Sequence, residues 1–319
     1  LADMKQGRTI VSGTLDASAP DRGNGGYIET SAAHVKIADS ARITTLAPHG
    51  KTGTWLIDPP DFFIAASGGD ITGAQLGANL NSSNITILSS HGATSGNGDI
   101  FANDAVSWNS ATTLTLSAFR NINVNQNLTS TGGGSVVLRS DSSGTGIGTV
   151  NFGGGSISLT GGSGGKTVDI YYNPGDYTTP TDFSSYVTAG TLMSWMLVND
   201  ATHLQAMNTN LSGAYALGKD IDATATSGWN SGAGFVPVGN GTTAFTGSFD
   251  GLGHTISGLT INRPSTSFVG LFGYASGVTL RNLGLTNVNI TGNTNVGGLV
   301  GFNDNLSIIT NSYSTGLVT

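Results

Sequence analysis

Asp220 and Asp222 stand two residues apart in Lys219-Asp220-Ile221-Asp222, a spacing that puts two carboxylates on one face of an extended strand with Lys219 pointing away. Paired carboxylates are what glycoside hydrolysis needs, with the two groups about 5 to 10 Å apart. His254 follows Asp250 in Asp250-Gly251-Leu252-Gly253-His254, which brings a base and an orienting carboxylate into one short segment. In both places the neighbours favour structure over chemistry. Asp220 and Asp222 read as a solvated strand end with turn bonding, and the glycines before His254 mark a turn. Gly161-Gly162-Ser163-Gly164-Gly165-Lys166-Thr167 has the composition of a phosphate-binding loop, but the span from its first glycine is wrong and no helix-forming sequence follows Thr167. A corner between elements is the expectation there. His34, His49, His91 and His203 are scattered singly, no His pair has metal-ligand spacing, and no aspartate-rich calcium loop occurs. The complete lack of cysteine excludes disulfides, thiolate metal sites and thiol catalysis together. The expectation is therefore a chain without catalytic residues, metal or cofactor, and not an enzyme.

What positions side chains in this sequence is glycine and short alternation. Its 49 glycines in 319 residues are about twice the ordinary share of roughly 7%, so corners are frequent. Between them lie runs of three to five residues that alternate apolar and polar: Tyr27-Ile28-Glu29-Thr30, Val35-Lys36-Ile37, Ile85-Thr86-Ile87-Leu88, Leu114-Thr115-Leu116, Ile122-Asn123-Val124, Val136-Val137-Leu138, Val150-Asn151-Phe152, Ile157-Ser158-Leu159 and Val168-Asp169-Ile170. Two-residue hairpin turns are scarce, which argues against a sandwich. Near the end, Gly270-Leu271-Phe272-Gly273 recurs 28 residues later as Gly298-Leu299-Val300-Gly301. A recurrence of that length marks stacked units, each unable to bury its apolar face alone. The predicted fold is all-β, a right-handed parallel β-helix with inward Val, Ile, Leu and Phe and outward Thr, Ser and Asn.

Two interruptions are expected. The paired prolines of Gly53-Thr54-Trp55-Leu56-Ile57-Asp58-Pro59-Pro60-Asp61-Phe62-Phe63-Ile64 cannot donate to a ladder, which predicts an excursion with Trp55 packed over the side of the solenoid. The second spans Asp176 to Asn210 and carries the one short helix, capped by Asn199 or Asp200, with Leu204 and Met207 on its buried face. Leu192 to Val198 just before it reads as a buried strand. The organisation is thus residues 1–170 as a β-helix shaft, 171–212 as an irregular segment, and 213–319 as repeat-bearing coils.

The 12 basic and 19 acidic residues give a net charge of −7 with no Lys or Arg run, which argues against a nucleic-acid partner. No apolar run is long enough for a membrane span. A start in mid-pattern at Leu1 and an end just after a repeat at Thr319 suggest a piece of a longer protein. For surface contact, the aromatics near the irregular segment are the candidates: Tyr171, Tyr172, Tyr177 and Tyr186, where loops leave the stack. Asn-X-Ser/Thr sequons at Asn81, Asn84, Asn127, Asn210, Asn240, Asn289 and Asn305 make glycosylation chemically feasible, against the plainer reading that these asparagines form ladders or cap corners.

Gly25-Gly26-Tyr27-Ile28-Glu29-Thr30-Ser31 and Gly50-Lys51-Thr52-Gly53-Thr54-Trp55-Leu56-Ile57-Asp58-Pro59 resemble the β-helical shaft of filamentous-haemagglutinin-type exoproteins of bacterial two-partner secretion. The second half, with Phe245 to Leu259 and the Gly-Leu-Phe-Gly and Gly-Leu-Val-Gly repeats, is similar to the GLUG-repeat regions of bacterial surface proteins. The resemblance implies a secreted or outer-membrane-tethered adhesin, exported by an outer-membrane two-partner-secretion transporter through a region absent from this sequence. It implies attachment to cell surfaces or biofilm matrix by multivalent contact, with exopolysaccharide, host glycan or laterally associated copies as partners. A β-helical polysaccharide lyase or hydrolase and a structural spacer of a contact-dependent toxin-delivery exoprotein stand as alternatives.

Overall fold

The computed structural model describes residues 6–90, 96–162 and 165–319; His91 and residues 163–164 of the glycine-rich stretch lie outside the described residues. These residues are nearly all β, with parallel strands stacked as a β-solenoid, as the alternating runs predict. The chain divides into two compact units, Leu1–Ser142 with Ile147–Tyr172 and Asp182–Ser194, and Ser143–Gly146 with Asn173–Thr181 and Trp195–Thr319.

In the first unit each coil carries short strands on three faces. On one face Thr54–Ile57, Asn84–Leu88, Thr113–Ser117, Ser135–Arg139 and Thr167–Tyr172 pair in parallel and in register, so Ile85, Leu114, Val136 and Val168 form one inward column. Ile87, Leu116, Leu138 and Ile170 form a second, and all eight side chains are fully buried. Alternation explains the match: a period of two sends every second residue inward, and stacking in register converts a single buried position into a column. Phe62–Ile64, Ile100–Ala102, Ile122–Val124 and Val150–Phe152 make another face, and Val106–Trp108, Leu128–Ser130, Ile157–Leu159 and Val187–Ala189 the third.

Two expectations fail in this unit. The Trp55 segment is no excursion. Thr54–Ile57 and Phe62–Ile64 are strands of the stack, and the prolines occupy the corner between them, where no ladder donor is needed. Trp55 lies inside the core with no exposed surface, and its indole N–H donates to Thr30 Oγ1 at 2.9 Å, which removes the cost of burying that polar atom. There is also a helix the sequence reading lacks, α1 (Gly73–Leu80), capped by Thr72, whose hydroxyl accepts the Gln75 N–H at 3.2 Å. A side chain on Gly73 or Gly77 would strike the backbone carbonyls of Ala105 and Ser107, so those two glycines let the helix lie directly against the strand Val106–Trp108. Thr72-Gly73-Ala74-Gln75 fits the capping-box pattern, and that was the available signal.

In the second unit Met196, Leu197 and Val198 pair with Tyr215, Ala216 and Leu217, and Ala214–Leu217 pairs in turn with Ser248–Asp250, which pairs with Thr279–Arg281. The expected strand before the helix is present as Thr191–Val198, but only Trp195 to Val198 are buried and Met193 is exposed. The repeat stacks as its period requires: Phe272 pairs with Val300 and Tyr274 with Phe302. A Cβ on Gly273 would come within 2.5 Å of the Gly239 and Phe268 carbonyl oxygens, so the motif glycine marks a place where three backbone segments meet. An aromatic column, Tyr177, Tyr215, Phe245 and Phe272, runs through this core with neighbouring centroids 4.9 to 6.2 Å apart. Among the described residues no helix is long and apolar enough to cross a membrane.

Candidate functional site around the inserted helix

The expected short helix is α2 (Ala201–Ala206), extended by a 3-10 turn Met207–Thr209, and Asp200 is its cap, accepting the His203 N–H at 2.7 Å. Residues three apart share a side of such a short, tightly wound segment. Ala201, Leu204 and Met207 are buried. His203, Ala206 and Thr209 line a cavity of about 320 Å³, closed on its other sides by Asn173, Pro174, Gly175, Asp176, Tyr177, Thr178 and Leu197 with Gly146. Gln205 and Asn208 face an open groove bordered by Trp229, Asn230 and Val236.

The cavity is lined mostly by apolar surface, and its ionisable groups are already engaged. Asp176 accepts the Thr178 hydroxyl at 2.6 Å and the Thr179 N–H at 2.8 Å. The Thr178 hydroxyl, then the Thr179 N–H and hydroxyl, hold its carboxyl below the ordinary carboxylate range. His203 Nδ1 lies 3.4 Å from Asp200 Oδ2 and its ring meets Tyr177 edge-on at 6.1 Å. The Tyr177 hydroxyl donates to Leu197 O at 2.7 Å, and burial pushes its phenol far above the usual value of 10.0, with the Tyr215 and Asp200 charges adding to the effect.

The four tyrosines separate. Tyr171, Tyr172 and Tyr177 are buried and do not present rings to solvent. Tyr171 is buried on the outward side of its strand, in the row of Arg139, whereas Tyr172 turns against the Phe183 ring edge at 5.0 Å and Tyr177 into the aromatic column. Tyr186 remains at the surface, stacked on Phe152 at 4.4 Å.

The sequence-level carboxylate and histidine pairs also rearrange. His254 does not face Asp250: its Nδ1 lies 3.3 Å from Asp220 Oδ1, while Asp250 is buried and holds Arg281 Nε at 2.7 Å and the Leu252 N–H at 2.8 Å. Asp222 accepts the Thr224 N–H at 2.9 Å, and Asp220 the Thr255 N–H of the next coil at 2.8 Å. Both are bonded as turn and strand-end groups. In the first unit His34, Asp61 and Asp70 border a cavity of about 210 Å³. Asp61 there caps the Asp99 N–H and Asp70 the Phe63 N–H, each at 2.8 Å. Burial raises Asp70 above the ordinary carboxylate value, against the pull of that bond and of Lys36 and His34. Among the described residues no three His, Cys, Asp or Glu side chains are grouped to hold a metal.

The sequon asparagines serve the stack at several positions. Asn84 donates from Nδ2 to Thr52 O and Gly53 O at 2.8 and 3.0 Å and accepts the Thr113 N–H at 2.9 Å, and Asn210 donates from Nδ2 to Tyr177 O at 3.0 Å. Asn81 and Asn127 accept N–H groups of Asn109 and Ser156 on following coils, and Asn240 closes a turn on Thr242 and Thr243. Asn289 and Asn305 are exposed. True side-chain ladders join Asn125 to Asn103 and Asn151 to Asn123.

Comparison with known proteins adds three findings. The family described as M26 IgA1-specific metallo-endopeptidase, N-terminal region, matches residues 198–316. Halomucin of Haloquadratum walsbyi is 42% identical over 144 residues, which are 42% of this chain and 2% of halomucin. A putative Gly-rich membrane protein of Evansella cellulosilytica is 36% identical over 129 residues, 37% of this chain and 15% of that protein. The chain thus spans a small part of the curated relatives it matches. No solved structure matches it. The peptidase-family match corrects the expectation that the protein is not an enzyme: residues 198–316, including both Gly-Leu repeats, are similar to part of a metallo-endopeptidase. The match is to the N-terminal region of that family and coincides with the repeat-bearing coils.

Proposed function

We propose that this chain is a shaft segment of a secreted or surface-displayed protein that attaches to cell surfaces or matrix polysaccharide through many weak contacts along stacked coils. The observation that carries the reading is the set of outward polar pairs on adjacent coils, Thr86 beside Thr115 and Asn123 beside Asn151, in rows that also carry Leu56, Val137, Phe63 and Phe101. Each such contact is feeble, and regular repetition lets many engage at once. The names of the two relatives, a mucin and a membrane protein, support a surface setting. The resemblance to two-partner-secretion exoproteins supports export by an outer-membrane transporter, and toxin delivery would use the same shaft. Incubating the purified chain with a panel of bacterial and host polysaccharides, scoring retention and new chain ends together, tests the reading. Retention on one or more supports it; no retention on any overturns it, and release of chain ends moves the assignment to a polysaccharide lyase or hydrolase.

A second reading is favoured by the match at residues 198–316: the coils serve as the scaffold that carries a peptidase in a longer protein. Its test is cleavage of IgA1 by the longer protein with and without these coils.

A further inference from the structure

We propose that the groove formed by Trp229, Gln205, Asn208, Asn230 and Val236 is a discrete binding site for a neutral glycan strand, with the Trp229 indole as the stacking surface. The proposal rests on the attachment reading and gives it a location.

Of the four tryptophans, Trp55, Trp108 and Trp195 are buried, whereas Trp229 is half-buried and lines an open groove of about 490 Å³. The backbone that holds it is strained. Immediately after Trp229, Asn230 and Ser231 adopt φ of 52° and 57°, followed by Gly232 at 87°. Left-handed conformations at two consecutive residues other than glycine are costly and persist where the surroundings fix them. Here the Asn230 side chain donates to Gly234 O at 2.7 Å and pins the loop.

The groove wall is equally fixed. Gln205 clasps Val236 from both sides, accepting its N–H at 2.8 Å and donating to its carbonyl at 2.9 Å. Asn208 accepts the Gly239 N–H at 3.1 Å and donates to Val236 O and Pro237 O at 3.3 and 3.2 Å. These bonds decide between occupants. A peptide adding as a strand needs free backbone groups along an edge, but the two amides have taken those of Val236, Pro237 O and Gly239 N–H, and Val238 bonds to Leu271 and Gly273. What the groove still offers is an aromatic face, the exposed Val236 side chain, one further N–H each on Gln205 and Asn230, and acceptor lone pairs on all three amides. No lining residue carries a charge. An apolar plane flanked by neutral, pre-positioned amides matches the C–H face and hydroxyl rim of an uncharged pyranose, and it disfavours an anionic chain or a phosphate. Because the amides are already held, little side-chain freedom is lost on binding.

The burial of the other three indoles supplies the assay. Acrylamide quenching of the 319-residue chain reports mainly Trp229. The probes are hexaoses of glucose, mannose, galactose and N-acetylglucosamine, with hexagalacturonate as the anionic comparison. At least one neutral hexaose is expected to shield the fluorescence. By calorimetry its affinity should fall about tenfold or more in Trp229→Ala, with partial recovery in Trp229→Phe. Far-ultraviolet dichroism checks that both variants fold. Shielding by none of the neutral probes, shielding by hexagalacturonate alone, or unchanged affinity in Trp229→Ala would overturn the site. If polysaccharide is still retained in those cases, the attachment reading stands with its contacts elsewhere; if retention fails as well, both fall.

Discussion

Leu271 and Leu299 occupy the same place in the two Gly-Leu repeats, yet Leu271 is fully buried and Leu299 only half-buried. Within these 319 residues Leu271 has a coil on each side: Leu271 O accepts the Val238 N–H from one and Leu271 N donates to Gly298 O on the other. Truncating each to alanine is therefore a matched pair in which motif, residue and chemistry are constant and only burial varies. For Leu271→Ala the loss combines the transfer energy of the removed atoms with a cavity that rigid coils cannot collapse, about 2 to 5 kcal/mol. That corresponds to a factor of about thirty or more in the local opening equilibrium. For Leu299→Ala the expected loss is at most about 1 to 2 kcal/mol, because part of the side chain is solvated before the mutation. Stacked repeats transmit stability between neighbours and need not unfold in one step, so the suitable assay is amide hydrogen exchange resolved by peptide across residues 268–291. Leu271→Ala should accelerate exchange in the strands Phe272–Ser276 and Gly284–Thr291. Equal acceleration by the two variants would refute the argument that stacking, and not the motif itself, sets the energy.

Gly273→Ala should destabilise the same coils by more than about 1 kcal/mol, measured by denaturant titration, because the new Cβ meets backbone carbonyls that cannot step aside. Tyr177 carries a phenol whose ionisation is raised by burial, so its contribution is complete below the unfolded value near 10.0 and is lost as pH rises beyond it. Tyr177→Phe should accordingly cost about 1 kcal/mol at neutral pH through the lost bond to Leu197 O and weaken the alkaline transition seen by dichroism. At Asp99, burial pushes the carboxyl up, but the Arg120 guanidinium, bonded through Nε at 2.9 Å, and the Asn121 N–H bring it below its ordinary 3.8. That stability is present above pH 3.8 and disappears as pH falls through the lowered value, so Asp99→Asn should lower stability near neutrality and flatten the acid limb of a pH titration of the denaturation midpoint.

The architecture was legible because its code is local. Ile85-Thr86-Ile87 or Leu114-Thr115-Leu116 needs only a period of two and a glycine corner to announce a coil, and the 28-residue recurrence announces the stacking. What resisted reading depends on partners from other coils. Pro59-Pro60 signals a break in any ladder, but nothing in the local sequence says that the break falls at a corner with Trp55 already inside. His254 stands four residues from Asp250 and bonds to Asp220 instead, because the coil returns the chain to a distant position in register. The tyrosines of 171 to 177 looked available since loops begin there, whereas Tyr177 in fact completes an aromatic column begun by Phe272 and Phe245. Trp229 carries no local signal of a site for the same reason: its groove is made by Gln205 and Asn208, which reach it only through the fold.

The short helix from Ala201 to Thr209 assigns three sides to three tasks at a spacing of three residues. Each residue advances the direction of a side chain by about 100 to 120°. Deleting one residue would therefore hand every task to the wrong neighbour: the anchoring Leu204 position would turn toward the cavity or groove, and a polar side chain would enter the core. In descent, this segment should change by substitution and keep its length, while the glycine corners elsewhere in the chain absorb insertions.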